Sequence, residues 1–211
     1  MPVISVFPSD GPAAALILAH GAGAGQRSPF MTSTARALAA RGIVTGTFDF
    51  PYMASGRRVP DPAPVLEQAW GDAVAAAQAI REFAGLPLFI GGKSMGGRIA
   101  SQAAASNELP IAGLIYLGYP LHPPGKPQQR RDAHLPSISA PMLFVQGSRD
   151  TFGTAAEIRA LLSRLQHAEL HEVEGGDHSF KVPARAPTPQ AAVMEQIFDR
   201  VVAFVRAVSR R

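Results

Sequence analysis

The chain has 211 residues, 46% hydrophobic and 17% charged, a length and balance that describe one globular domain spanning 1–211 and exclude a disordered chain. It has no cysteine, which removes disulfides, thiolate metal sites and a cysteine nucleophile. The net charge of +4, from 17 arginines and 3 lysines without a dense basic stripe, gives no reason to expect a nucleic-acid partner.

No apolar run approaches membrane-spanning length and no signal-type segment opens the sequence, so a cytoplasmic protein without a membrane partner is expected. Strand and helix signals alternate, which argues for an α/β layer fold with a mostly parallel sheet. Val3 to Phe7 and Ala14 to Ala19 read as strands. The second runs into His20-Gly21-Ala22-Gly23-Ala24-Gly25, a flexible backbone at the edge where parallel sheets bind ligands. Three readings of this loop stay open. It is an oxyanion loop, a dinucleotide fingerprint with Asp49 as the ribose acid, or a connection without chemistry. Against the fingerprint, Gln26 stands at the third glycine position, and Ser28-Pro29 starts the helix several residues late.

A helix over Phe30 to Ala40 and a strand over Ile43 to Phe48 follow, then a polar connection carrying Arg57-Arg58. Val65 to Phe83 reads as a long helix with Trp70 as a packing residue. Leu88 to Ile90 is a buried strand and Arg98 to Ala105 a helix, and between them stands Gly92-Lys93-Ser94-Met95-Gly96. That is the G-x-S-x-G elbow, in which a serine on a tight strand-to-helix turn is held clear of its neighbours and flanking glycines avoid a collision. The helix start aims free N–H groups at charge developing beside Ser94. A P-loop reading of Gly92-Lys93-Ser94 fails, because its first glycine position falls on Pro87.

Ile111 to Leu117 and Met142 to Val145 are further strands, separated by a proline-rich stretch, Gly118 to Ala140, with no helix of lid length. Asp150 lies just past the second of these, before a helix over Thr154 to Gln166. The strand Ala168 to Val173 leads to Gly175-Gly176-Asp177-His178, and a closing helix over Gln190 to Val208 shows an apolar stripe of core type. Ser94, Asp150 and His178 thus follow three different strands in the order serine, acid, histidine. The histidine serves as base, the aspartate fixes its tautomer, and the serine attacks. Asp150 is preferred to Asp177, which adjoins His178 and is poorly placed to reach its ring. Among the five other histidines, His122 is the candidate for substrate contact. Arg57 and Arg58, with Lys126, Arg130 and Arg131, are loop cations that would favour an anionic substrate if they border the pocket.

His20-Gly21-Ala22, GGKSMGG around Ser94, Asp150 and GGDHSF at Gly175 to Phe180 resemble the α/β-hydrolase superfamily over essentially the whole chain. FPYMASGRRVPDP at Phe50 to Pro62, GYPLHPPGKP at Gly118 to Pro127 and FVQGSRDTFG at Phe144 to Gly153 are similar to the small dienelactone-hydrolase-like branch that includes testis-expressed protein 30 and the hydrolase-like subunit of the NSL chromatin complex. The resemblance implies an α/β-hydrolase fold with helices on both sheet faces, antiparallel first strands, little or no lid, and no metal or other cofactor. It implies that the Ala22 and Met95 N–H groups hold the oxyanion. Dienelactone hydrolases proper use a cysteine where Ser94 stands, so their lactone cleavage is not carried over. Lys93 is read as a structural contact rather than a catalytic group. The resulting expectation is a serine hydrolase, a carboxylesterase for small soluble esters through an acyl-enzyme on Ser94. The alternative is a non-catalytic interaction protein that keeps this fold.

Overall fold

The apolar strands and alanine-rich helices assemble, in a computed structural model that describes residues 1–210, around one seven-stranded sheet. Its strands are β1 (Ser5–Phe7), β2 (Ala14–Ala19), β3 (Ile43–Phe48), β4 (Leu88–Lys93), β5 (Gly113–Leu117), β6 (Met142–Gly147) and β7 (Ala168–Val173). They lie in the order β1-β3-β2-β4-β5-β6-β7. β1 is antiparallel to β3, with Val6 opposite Gly46, and the remaining pairs are parallel. The chain steps from β2 outward to β3 and then returns to place β4 on β2's other side. The connections after β2 and β4 therefore leave in opposite directions, opening a crevice at the carboxyl ends of those two strands.

Among the described residues six helices accompany the sheet: α1 (Pro29–Ala39), α2 (Pro51–Ala54), α3 (Ala63–Ala77), α4 (Met95–Ser106), α5 (Ala155–Leu162) and α6 (Gln190–Ser209). A strand with helices on both faces must be apolar on both, and β2 shows the consequence. Ala15, Ile17 and Ala19 join the core under α3, α4 and α5, whereas Ala14, Leu16 and Leu18 join the core under α1 and α6. Trp70 is fully buried on α3, edge-on to Phe48 with ring centres 4.9 Å apart, and donates from its indole N–H to the Gly96 carbonyl at 3.2 Å. It packs the first core and also props the start of α4.

Several boundaries depart from the sequence reading. The helix expected over Val65 to Phe83 ends at Ala77, and Arg81–Phe83 forms a separate turn. Phe83 is buried over β3, where a Cβ on Gly46 would lie 3.0 Å from its ring, and a continuous helix would not deliver it there. The helix expected over Thr154 to Gln166 stops at Leu162. Its start is set by a capping box: the Thr154 hydroxyl accepts from the Glu157 N–H while the Glu157 carboxylate accepts from the Thr154 N–H. α2 was not anticipated, and α4 begins three residues before Arg98, immediately after Ser94. Between β5 and β6 the chain forms only a short turn at Leu135–Ser137, so no helical lid covers the crevice.

Candidate active site

Ser94 occupies the junction of β4 and α4 with φ 52° and ψ −117°, a conformation non-glycine residues rarely adopt and one that costs on the order of 1–3 kcal/mol. The surroundings impose it. A Cβ at Gly92 would stand 2.1 Å, and one at Gly96 2.2 Å, from the carbonyl oxygen of Ala19 at the end of β2. The Ser94 N–H donates to the Leu117 carbonyl at 3.1 Å, and the Ser94 carbonyl accepts from the Arg98 N–H at 3.1 Å. Neighbouring strands and the helix behind thus fix the serine backbone on both sides.

His178 bridges the serine and the acid. Its Nε2 lies 2.8 Å from Ser94 Oγ and its Nδ1 lies 2.7 Å from Asp150 Oδ2. With Nδ1 protonated toward the carboxylate, Nε2 is free to accept the serine hydroxyl. Asp150 is 1% exposed, and its other bonds come from neutral donors: the Phe152 N–H at 2.8 Å and Gln146 Nε2 at 2.9 Å. Gln146 is itself locked, its Oε1 accepting from the Tyr119 N–H and its amide also reaching the Gly153 and Tyr119 carbonyls. The Phe152 ring lies against the His178 imidazole with centres 4.3 Å apart and shields one face from water. Sequence reasoning did not single out Gln146 or Phe152. A glutamine ending the apolar run of β6 was the one available sign for Gln146, and none existed for Phe152.

Asp177, the rejected acid, shapes the turn instead. Its Oδ1 accepts from the Ser179 and Lys181 N–H groups, directing the carboxylate away from the imidazole. Lys93 donates from Nζ to the His178 carbonyl at 2.5 Å and sits over the Phe30 and Phe180 rings, in line with the structural contact expected of it. Burial lowers its pKa from 10.5 to about 8, against the opposing pull of Asp150 and Asp177.

Gly21 brings the glycine loop onto the elbow: a Cβ there would be 3.5 Å from the Ser94 Cβ. Among the described residues, the Ala22 and Met95 N–H groups have no protein partner, and Met95 opens α4, where the first N–H groups are free of helical bonds. His20 supports the loop from below, with Nδ1 2.8 Å from the Gly21 carbonyl and Nε2 accepting from the Phe50 N–H at 3.2 Å. Burial lowers its pKa despite the Gly21 bond and the nearby Asp49 charge, so the neutral ring is favoured. Asp49 accepts from the Gln26 N–H at 2.7 Å and from the Gln26 side chain at 3.3 Å. The acid weighed as a ribose contact is engaged in closing the loop, by the very residue that breaks the glycine fingerprint.

A cavity of about 710 Å³ opens above Ser94, walled by the glycine loop, the start of α1 and the His178 turn, with Met95, Arg98, Arg131 and Phe152 among its lining residues. Three of the expected substrate contacts lie outside the wall of this cavity. His122 is 6% exposed and turned into the protein, with Nδ1 2.9 Å from the Pro123 carbonyl and Nε2 3.1 Å from Glu157. Arg57 and Arg58 are exposed outside the cavity wall, and Arg57 is paired with Asp61 at 2.6 Å. Lys126 and Arg130 likewise miss the wall, Arg130 being committed to Asp132, so Arg131 alone of the five loop cations reaches the site. Among the described residues no group of three or more histidine, aspartate or glutamate side chains is arranged to hold a metal ion, and no helix is long and apolar enough to cross a membrane.

Comparison with solved structures finds the same architecture in several hydrolases. Est1E from Butyrivibrio proteoclasticus with bound ferulic acid superposes with a TM-score of 0.80 at 14% identity, covering 100% of this chain and 96% of that one. A dienelactone hydrolase from Anabaena variabilis gives 0.71 at 20% identity, over 93% and 88% of the two chains. The monoacylglycerol lipase of Paleococcus ferrophilus gives 0.73 at 15% identity, over 96% and 99%. At these identities the likeness concerns the fold. Membership follows from the family model described as alpha/beta hydrolase domain, which matches residues 12–206; the chain belongs to that family.

Proposed function

We propose that this chain is a serine hydrolase acting on small carboxylic esters, with Ser94 as nucleophile. The hydrogen-bonded row from Ser94 through His178 to Asp150, at 2.8 and 2.7 Å beneath an open cavity, carries the reading. Ser94 Oγ attacks the acyl carbon as its proton passes to His178 Nε2, and the carbonyl oxygen becomes an oxyanion facing the Ala22 and Met95 N–H groups. Collapse of that intermediate breaks the bond to the alcohol, which leaves with the proton from His178. Water then attacks the acyl-enzyme by the same steps, releasing the acid and restoring the Ser94 hydroxyl. Asp150 remains ionised throughout, fixing the tautomer and stabilising the imidazolium. The dienelactone hydrolase and monoacylglycerol lipase named among the structural neighbours support a carboxylic ester as substrate, and the sequence segments near Phe50, Gly118 and Phe144 support placement in the small branch with testis-expressed protein 30.

The test is hydrolysis of p-nitrophenyl esters of graded acyl length by purified protein and by Ser94→Ala. Turnover that disappears in Ser94→Ala is expected. Turnover retained in the variant overturns the assignment of Ser94, and inertness of the wild type across the panel favours an interaction protein that keeps the fold.

A further inference from the structure

The cavity above Ser94 has an unbalanced wall. Lys93, Arg98, Arg131 and Lys181 all line it, and no aspartate or glutamate does. Lys93 is occupied by the His178 carbonyl, but the two arginines are differently placed. Arg98 stands on α4 one turn beyond the nucleophile. Its guanidinium donates from Nη1 to Gln102 at 2.7 Å, while Nε is buried without a hydrogen-bond partner. Among the described residues, neither Arg98 nor Arg131 has a carboxylate within ion-pair distance. Asp132, next to Arg131 in sequence, is engaged by Arg130 at 2.6 Å and lies 3.9 Å from Arg164. Glu67 acts on Arg98 only through space.

Arg131 is delivered by the scaffold rather than by a free loop. Its N–H donates to the Leu121 carbonyl at 2.9 Å, and its carbonyl accepts from the buried Tyr119 hydroxyl at 2.8 Å. Burial, and then the charge of Arg131, both lower the pKa of Arg98, as expected for two cations sharing one partly desolvated wall. Such a pair is relieved by an anion, and the planar fork of a guanidinium matches a carboxylate in two-point contact.

We propose that Arg98 and Arg131 seat a free carboxylate of the substrate, so that the preferred substrates are esters carrying one carboxylate besides the scissile bond. The inference deepens the serine hydrolase reading and rests on it. It also relocates the anion preference that the loop arginines suggested: the charge that matters is inside the cavity and within a helical turn of the nucleophile.

The carboxylate can belong to the acyl or the alcohol half, and paired substrates separate the two. p-Nitrophenyl hemiglutarate against p-nitrophenyl valerate tests the acyl side, and 4-acetoxybenzoate against phenyl acetate tests the alcohol side. In at least one pair the charged ester is expected to have kcat/KM roughly tenfold or more above its neutral partner, the size of one charge-assisted contact. That ratio should fall roughly tenfold in Arg98→Gln and in Arg131→Gln, the latter serving if Arg98→Gln does not fold. Charged-to-neutral ratios near one in both pairs, or ratios unmoved by both variants, overturn the proposal while leaving the hydrolase reading in place. Calorimetric titration of Ser94→Ala protein with glutarate gives a readout without turnover. Binding that is lost with Arg131→Gln supports the carboxylate seat even if no ester is hydrolysed, in which case the hydrolase reading is the one that fails. Absence of glutarate binding together with unmoved ratios removes the seat altogether.

Discussion

Lys93 reaches past Ser94 to donate to the backbone carbonyl of His178, so the residue preceding the serine holds the turn that carries the histidine. The two elements lie 85 residues apart in the sequence, and this bond sets their spacing directly. Lys93→Met keeps most of the side-chain volume but frees the turn. Since about an ångström of misplacement can cost on the order of a hundredfold, kcat should drop roughly ten- to a hundredfold with a smaller change in KM. Steady-state kinetics on one ester checks it; a variant altered only in KM would contradict a positioning role.

The same lysine predicts a pH signature in stability. Its pKa is lowered by burial from 10.5 unfolded to about 8 folded, so between these values the unfolded chain binds the extra proton. Stability therefore rises with pH across that window, and the burial cost of the charge is present below about pH 8. Relative to Lys93→Met, the wild type should gain up to about 3 kcal/mol between pH 8 and 10.5. Denaturant titrations of both proteins at the two pH values measure this difference, and parallel pH profiles would contradict it.

Asp150 accepts from His178 and is otherwise bound by neutral donors, which leaves its charge committed to the imidazole. Asp150→Asn preserves shape but offers an amide that stabilises the wrong imidazole tautomer. kcat should fall by about four orders of magnitude, with thermal stability changed far less than activity. A loss of less than about tenfold would remove Asp150 from its assigned role.

Gly96 tests the elbow. An added methyl group would fall 2.2 Å from the Ala19 carbonyl, which belongs to a central strand and cannot swing away. Gly96→Ala is therefore expected to destabilise the fold by roughly 1–3 kcal/mol or more and to displace Ser94. The melting temperature and the esterase rate should fall together. Gly71→Ala on α3, whose Cβ would meet only the end of the Gln68 side chain at 3.9 Å, provides a comparison.

His122 separates the buried from the functional. Turned toward Glu157 and away from the cavity, it should contribute to anchoring the start of α5 rather than to substrate binding. His122→Gln is expected to leave kcat/KM within about twofold while lowering stability by about 1 kcal/mol. A change in KM specific to one ester would return His122 to the substrate.

What could be read from residues alone divides along physical lines. The meeting of Ser94, Asp150 and His178 was legible because each follows a different strand, and parallel strands bring their carboxyl ends to one edge whatever the intervening lengths. The fold class was legible for the same reason that β2 has no polar residue: burial on both faces writes a continuous apolar run. The loop cations were not. Arg57, Arg130 and Arg131 are indistinguishable as sequence, yet Asp61 and Asp132 neutralise the first two and backbone bonds point the third into the cavity. Arg98 lay inside a helix pattern, where an arginine ordinarily means an exposed face, and only the packing of α4 along the crevice gives it another meaning.

An activated Ser94 is read by intact-mass analysis after treatment with a fluorophosphonate probe. One adduct per chain is expected on the wild type and none on folded Ser94→Ala. No adduct on folded wild type, or an adduct that persists in the variant, would contradict it.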